Sequence, residues 1–154
     1  MCEGEDATVE IFGGSSLNRL HIFVGGGKGT RISVGSHCST EGVKIIARGR
    51  RELVIGDDCM FAADVLVRLS DSHPIRDAES GEIINGQAHP LVIGRHTWVG
   101  QNACLTKNAV VAADTVIGLG SVVTGVFSEE GTCLGGNPAR VLRRHVSWSR
   151  ELEA

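Results

Sequence analysis

Apolar residues recur every six positions in the second half of this chain. Ile93, Val99, Leu105, Val111, Ile117 and Val123 keep the count without a slip. The residue after each is small or polar: Gly94, Gly100, Thr106, Ala112, Gly118 and Thr124. The fifth residue of the first five hexads is small as well: Thr97, Ala103, Ala109, Thr115 and Ser121. This period fits neither a helix, at about 3.6 residues per turn, nor a strand alternating every second residue. It fits a chain that turns a corner every six residues, with three short strands to a coil, which is a parallel β-helix.

The same phase runs upstream in weaker form. Ile55 and Phe61 open the hexads IGDDCM and FAADVL, Val67 stands six further on, and Val34 opens VGSHCS with Ile22 two hexads before it. Cys38 and Cys59 take the small fifth position, where Ala or Ser would serve equally well. Between Val67 and Ile93 the count fails. A hexad due at residue 73 opens at 93, so about twenty residues leave the coil and return in phase. Solenoids accommodate such insertions as loops on one face, often the binding face, and long excursions in compact domains are usually functional or disordered.

One domain is therefore expected, in five stretches: a lead-in over 1–20 without register, upstream coils over 21–68, the excursion over 69–90, downstream coils over 91–136 and a tail over 137–154. Asn137-Pro138 reads as the start of a short C-terminal helix, with Asn as N-cap and Pro in the first turn. Val141, Leu142, Val146 and Leu152 would form its apolar side and cap the unpaired edge of the last coil.

Composition narrows the function. A net charge of -3 argues against a general nucleic-acid or membrane-surface binder. Aromatic residues are 4% of the chain, with no Tyr and 21 Gly. That suits a narrow interior of stacked aliphatic residues better than an ordinary aromatic-rich core. The acidic opening MCEGEDATVE has neither the basic nor the apolar region of a signal peptide. Five scattered cysteines without a CxxC make disulfides unexpected. A cytoplasmic location follows as the expectation.

Candidate chemistry concentrates in the excursion and just after it. SDSHPIRD places His73 between Asp71 and Asp77. An imidazole can take a proton from a hydroxyl nucleophile, and either carboxylate, or a backbone carbonyl, could fix its tautomer. The alternative is a surface histidine flanked by solvated loop charges. Trp98 closes its hexad beside inward-facing Val99, so it should point outward and ask for a ligand or a neighbouring subunit. Arg140, Arg143 and Arg144 put local positive charge in an acidic chain, as a phosphate-bearing ligand needs, or they form an ordinary solvated face. The GGGKGT stretch at 25–30 lacks P-loop spacing and reads as a coil corner. None of the six histidines lie five apart, so the three-histidine zinc site of γ-class carbonic anhydrases, which share this architecture, is not expected.

Three landmarks in order carry a resemblance: SHPIRD in the excursion, IGRHTWVGQNA at the return, and IGLGSVVTG followed by GGNPARVLR. They resemble the hexapeptide-repeat acyltransferases, above all O-acetyltransferases of sugars and bacterial surface polysaccharides such as the polysialic-acid and galactoside enzymes. The resemblance implies an all-β, left-handed parallel β-helix, a hand that runs against the usual crossover rule. It implies acetyl-CoA as co-substrate, no metal, and a homotrimer with active sites between subunits. His73 would be the general base for direct attack by an acceptor hydroxyl, and Trp98 would lie beside the thioester. The cofactor would pass Gln101, Gly118, Leu119 and Thr124 and end with its 3′-phosphate at Arg140 and Arg143. Where relatives often carry Lys after Thr124, this chain has Gly125. The acceptor would be a hydroxyl-bearing saccharide. Two other readings stay open: an acyltransferase with a non-sugar acceptor, and a catalytically idle trimer serving as a scaffold.

Overall fold

A computed structural model of the chain describes residues 6–86 and 88–151. The described residues form strands, turns and bends, and no helix occurs among them. The strands wind into three parallel sheets that face a common interior. The first face stacks Thr8–Ile11, Arg31–Val34, Glu52–Ile55, Leu91–Ile93, Val110–Val111 and Val126–Phe127. The second stacks Ser16–Leu17, Ser39–Thr40, Met60–Phe61, Trp98–Val99, Val116–Ile117 and Thr132–Gly136, with Ala139–Arg144 added at its end. The third stacks Leu20–Gly25, Val43–Arg48, Val65–Arg68, Cys104–Thr106 and Val122–Val123. This is the expected left-handed β-helix.

Each hexad-opening residue points into the prism, and successive coils place them in files. On the first face Val34, Ile55, Ile93, Val111 and Phe127 are in register. On the third, Ile22, Ile45, Val67, Leu105 and Val123 do the same. Ile93, Leu105, Ile117 and Val123 are wholly buried, each worth roughly 1.5–3 kcal/mol of apolar burial. The fifth-position residues Thr97, Ala103, Ala109, Thr115 and Ser121 are also buried, at the inside of the corners.

The corners follow a rule of their own. His96, Asn102, Asn108 and Asp114 have φ between 50° and 67°, and Gly120 continues the series at 66°. They stand six apart at the fourth hexad position, where the chain must enter the left-handed region to turn. Asn, Asp, His and Gly tolerate that conformation best.

Two stretches depart from expectation. The first coil begins inside the supposed lead-in, because Thr8–Ile11 pairs with Arg31–Val34 and Ser16–Leu17 with Ser39–Thr40. The expected C-terminal helix is absent: Ala139–Arg144 is a strand, antiparallel to Thr132–Gly136. Gly135 and Gly136 let the chain reverse tightly, with Gly136 at φ 100°, and the returning strand then hydrogen-bonds to the otherwise open sheet edge. A helix would have left those backbone groups unpaired. Val141 packs against the core and Leu142 is exposed; Leu152 lies outside the described residues.

Candidate active site

The excursion leaves the third face after Leu69 and rejoins the first face at Leu91, so it springs from the corner between them. It has internal structure. Arg76 and Ile83 form an antiparallel bridge, Ile84 N–H donates to the Ile75 carbonyl at 2.9 Å, and Asp77 closes the tip by accepting from the Ser80 and Glu79 N–H groups at 2.7 and 3.0 Å. Those backbone donors hold the Asp77 carboxyl below the usual carboxylate range.

A polar hub pins the base of this hairpin. Asn85 Nδ2 donates to Asp71 Oδ2 at 2.8 Å and to the His73 carbonyl at 3.0 Å, while Asn85 Oδ1 accepts from Ile75 N–H at 2.7 Å. Lys107, on the next coil, donates to Asp71 Oδ2 at 2.5 Å and to the Asn85 carbonyl at 2.7 Å. The Lys107 hydrogen bond, with a smaller share from Asn85, holds the Asp71 carboxyl below its ordinary range against the opposing effect of burial. Asn108 Oδ1 accepts from His89 N–H at 2.6 Å and ties down the returning end. Within the chain, then, Asp71 and Asp77 are engaged with Lys107, Asn85 and the hairpin turn. Lys107 and Asn85 escaped the sequence reading, and Lys107 only shows its purpose once the coils are stacked.

Trp98 stands on the second face, the side of the triangle opposite the corner that bears His73. It points outward with 39% of its surface exposed. Its ladder neighbours are Met60 and Val116; beyond Val116 come Cys133 and Arg143. Trp98 and Arg143 thus share one wall, about three strand spacings or roughly 14 Å apart. Gln101, Gly118 and Leu119 lie at the adjoining corner between the second and third faces. There the Gln101 carbonyl accepts from Gly120 N–H at 2.8 Å, Gly118 N–H donates to the Leu134 carbonyl at 2.8 Å, and Leu119 is 73% exposed. Arg140 is exposed on the final strand, its Nη1 donating to the Ala139 carbonyl. Thr124 is exposed at the other corner, above the excursion. The residues named from sequence therefore fall into two groups: His73, Asp71, Asp77 and Thr124 at one corner, and Trp98, Gln101, Gly118, Leu119, Arg140 and Arg143 on the opposite wall and its edge.

The tail after Arg144 runs back down the remaining edge and braces Trp98. The Trp148 indole stacks on His96 at 4.2 Å and 11°, donates its Nε1–H to the His96 carbonyl at 2.8 Å, and meets Trp98 at 6.1 Å and 45°. His96 Nδ1 lies 2.6 Å from Asp58 Oδ2. Arg150 donates to Asp58 Oδ1 at 2.8 Å, Ser39 Oγ at 2.7 Å and the Cys59 carbonyl at 3.1 Å. Burial would push the Asp58 carboxyl up, but the hydrogen bonds from Arg150 and His96 prevail and hold it below the usual range. In a chain with two tryptophans, their meeting across fifty residues is the feature the sequence hid best.

Among the described residues no group of three or more His, Cys, Asp or Glu side chains could hold a metal, and no helix is long and apolar enough to cross a membrane.

The chain is similar to acetyltransferases both in sequence and in fold. It is 36% identical over 123 residues to a polysialic acid O-acetyltransferase of Escherichia coli O1:K1 / APEC. The curated relatives it matches are named as O-acetyltransferases of polysialic acid and of galactosides. That match covers 80% of this chain and 39% of the relative, so the chain spans well under half of that enzyme's length. The crystal structure of the polySia-specific acetyltransferase NeuO superposes with a TM-score of 0.74 at 27% identity, covering 98% of this chain and 72% of that one. A hexapeptide-repeat acetyltransferase from Vibrio cholerae O1 biovar eltor, solved with acetyl coenzyme A, shares the fold at a TM-score of 0.50 and 20% identity, over 87% of this chain and 70% of its own. No protein-family model matches the chain.

Proposed function

We propose that this protein is an acetyl-CoA-dependent O-acetyltransferase that acetylates a hydroxyl of a saccharide, with each active site assembled between two subunits of a homotrimer. The observation that carries the reading is the split between the two groups of site residues. An imidazole on one corner and an indole on the opposite wall serve a single reaction only when one protomer's corner meets its neighbour's wall. The excursion is built for such a meeting, since Ile75, Ile83 and Ile84 expose 56%, 48% and 66% of their surface, an apolar display that a partner would cover.

In this reading acetyl-CoA lies along the wall, its thioester beside Trp98, its pantetheine past Gln101, Gly118 and Leu119, with Thr124 contributed from the neighbour's corner, and its 3′-phosphate at Arg143 and Arg140. The Vibrio neighbour was solved with that cofactor. His73 takes the proton of the acceptor hydroxyl as its oxygen attacks the acetyl carbonyl, and the CoA thiolate departs. Of the two carboxylates, Asp71 is assigned to holding His73 in place, acting through Asn85 and the His73 carbonyl. The polysaccharide acceptor is supported by the name of the 36%-identical relative. The reducing cytoplasm, where acetyl-CoA is available, is the proposed location.

Saturating CoA should raise the melting temperature, since ligand at 100 times its Kd adds roughly 2.7 kcal/mol. Mass spectrometry of a saccharide panel incubated with acetyl-CoA should show products heavier by one acetyl group. His73→Ala should retain the CoA shift and lose about 10²–10⁴ in rate. A chain whose melting temperature ignores CoA, and which acetylates nothing, is a scaffold and ends this reading.

A further inference from the structure

The Trp98 indole is short of restraints of its own. Among the described residues no hydrogen bond holds its N–H, and its ring contact is with Trp148. Met60 and Val116 flank it along the ladder, which leaves the ring to swing toward either edge of the wall. Room for that swing exists, because Trp98 borders a cleft of about 430 Å³ over Ser39, Met60 and Ala62. An outward side chain with such room samples several staggered rotamers, and a flat wall by itself selects none of them.

Trp148, by contrast, is anchored from several directions. Val146 N–H donates to the Gly131 carbonyl at 2.9 Å and sets the tail on its edge. The Trp148 carbonyl lies 3.2 Å from His96 Nε2, while its indole stacks on that ring and donates to the His96 carbonyl. Arg150 then fastens the tail across three coils. Besides Asp58, Ser39 and the Cys59 carbonyl, its Nη2 reaches the His37 carbonyl at 3.3 Å, and its guanidinium carbon lies 5.8 Å from the centre of the Trp148 ring. Asp58 joins the two anchors, since one oxygen accepts from Arg150 and the other faces His96 Nδ1. The corner at residue 96 needs only a side chain that tolerates a left-handed backbone, as Asn102, Asn108 and Asp114 do in later coils. His96 adds a flat ring on which an indole can stack. The stack places Trp148 over the corner between the first and second faces, on the side of Trp98 away from Gln101, Gly118 and Leu119.

We propose that Trp148 is a positioning residue: fixed by the His96 ring and by the Arg150–Asp58 latch, it fills the first-face side of Trp98 and turns that indole toward the cofactor's path. The inference rests on the acetyltransferase reading for the cofactor, and on the geometry alone for the brace. The chain has two tryptophans, so Trp148→Phe and Trp148→Ala each leave Trp98 as the sole indole fluorophore in the full chain. In Trp148→Phe a ring still fills the site, and the fluorescence anisotropy of Trp98 should decay with the tumbling of the whole protein. In Trp148→Ala a large part of it should decay within about a nanosecond, the timescale of free rotamer exchange. Arg150→Met/Trp148→Phe keeps the ring but unlatches the tail, and it should follow Trp148→Ala.

CoA titrated calorimetrically should bind Trp148→Phe as it binds wild type. It should bind the two unbraced variants about three- to tenfold more weakly, the range set by one lost aromatic contact. Equal Trp98 mobility in the Phe and Ala variants would overturn the inference, even if CoA affinity fell, because the loss would then not pass through Trp98. Undiminished CoA affinity in both unbraced variants would overturn it as well. Trp98 freed by Trp148→Ala in a chain whose wild type binds no CoA would keep the brace and defeat the transferase reading instead.

Discussion

If His73 and Trp98 work together only across a subunit boundary, two dead enzymes should revive each other. The excursion with His73 springs from the corner between the first and third faces, and Trp98 projects from the second face, the opposite side of the same triangle. A cis site would require the hairpin to fold around the prism, but Lys107 and Asn108 hold both its ends at their own corner. In the proposed trimer each site would draw its histidine from one chain and its tryptophan from the next. In a closed ring, His73→Ala and Trp98→Ala homotrimers contain no complete site. Mixed equally, each boundary takes its histidine donor and its tryptophan donor independently, so about one boundary in four is complete. Acetyl transfer in the unfractionated co-expressed mixture should reach about a quarter of the wild-type rate. The double variant His73→Ala/Trp98→Ala mixed equally with wild type supplies the control. It should also retain about a quarter if sites span chains, and about a half if they lie within one. A mixture of single variants as inactive as its parents, together with the half value in the control, would refute the shared site.

Lys107→Met should release the excursion without unfolding the coil: stability changes by about 0.5–1 kcal/mol, as for a partly exposed ion pair, while kcat falls about tenfold or more and the CoA thermal shift persists. The same anchor sets an acid limit. The Asp71 carboxyl is held low in the folded chain, so its contribution is fully present above the ordinary carboxylate value of about 4 and disappears as pH falls through the lower folded value. Hydrogen-exchange protection factors of residues 71–85, taken against the intrinsic rate at each pH, should stay flat from about pH 7 to 5, and loss of protection within that window would exclude the anchor. At Gly100 a Cβ would lie 2.7 Å from Leu119 N and 2.8 Å from the Ile117 carbonyl. Gly100→Ala must prise two coils apart beside the proposed pantetheine path, costing about 1–3 kcal/mol, or roughly 3–10 °C in Tm. Gly125→Ala meets nothing within 4 Å and should stay within about 0.5 kcal/mol. Equal melting shifts for the two would contradict the stacking described for that corner.

What could be read beforehand divides along a physical line. The hexad files and the return of phase at Ile93 were legible because burial acts on every sixth side chain alike. The first coil was not, because Val9 and Ile11 sit on the solenoid's open end, 42% and 49% exposed, where the pattern has no second layer to enforce it. The tail misled because Asn137-Pro138 satisfies local rules for a helix start, while what decides the outcome is a row of unpaired backbone groups on Thr132–Gly136 that no local pattern records. The corner residues His96, Asn102, Asn108 and Asp114 were in plain view as polar residues, but their common task is conformational, and only their positive φ reveals it. His73 and Trp98 stood out because both occupy places that a self-contained solenoid has no reason to fill with a histidine or an indole. Their separation by a whole prism width is information the linear order cannot contain. In a solenoid each coil touches only the coils above and below it, so outward-facing side chains on different faces of one chain do not reach each other across the prism. The stiffness that makes the fold readable six residues at a time is the same property by which the proposed reaction would lie between chains.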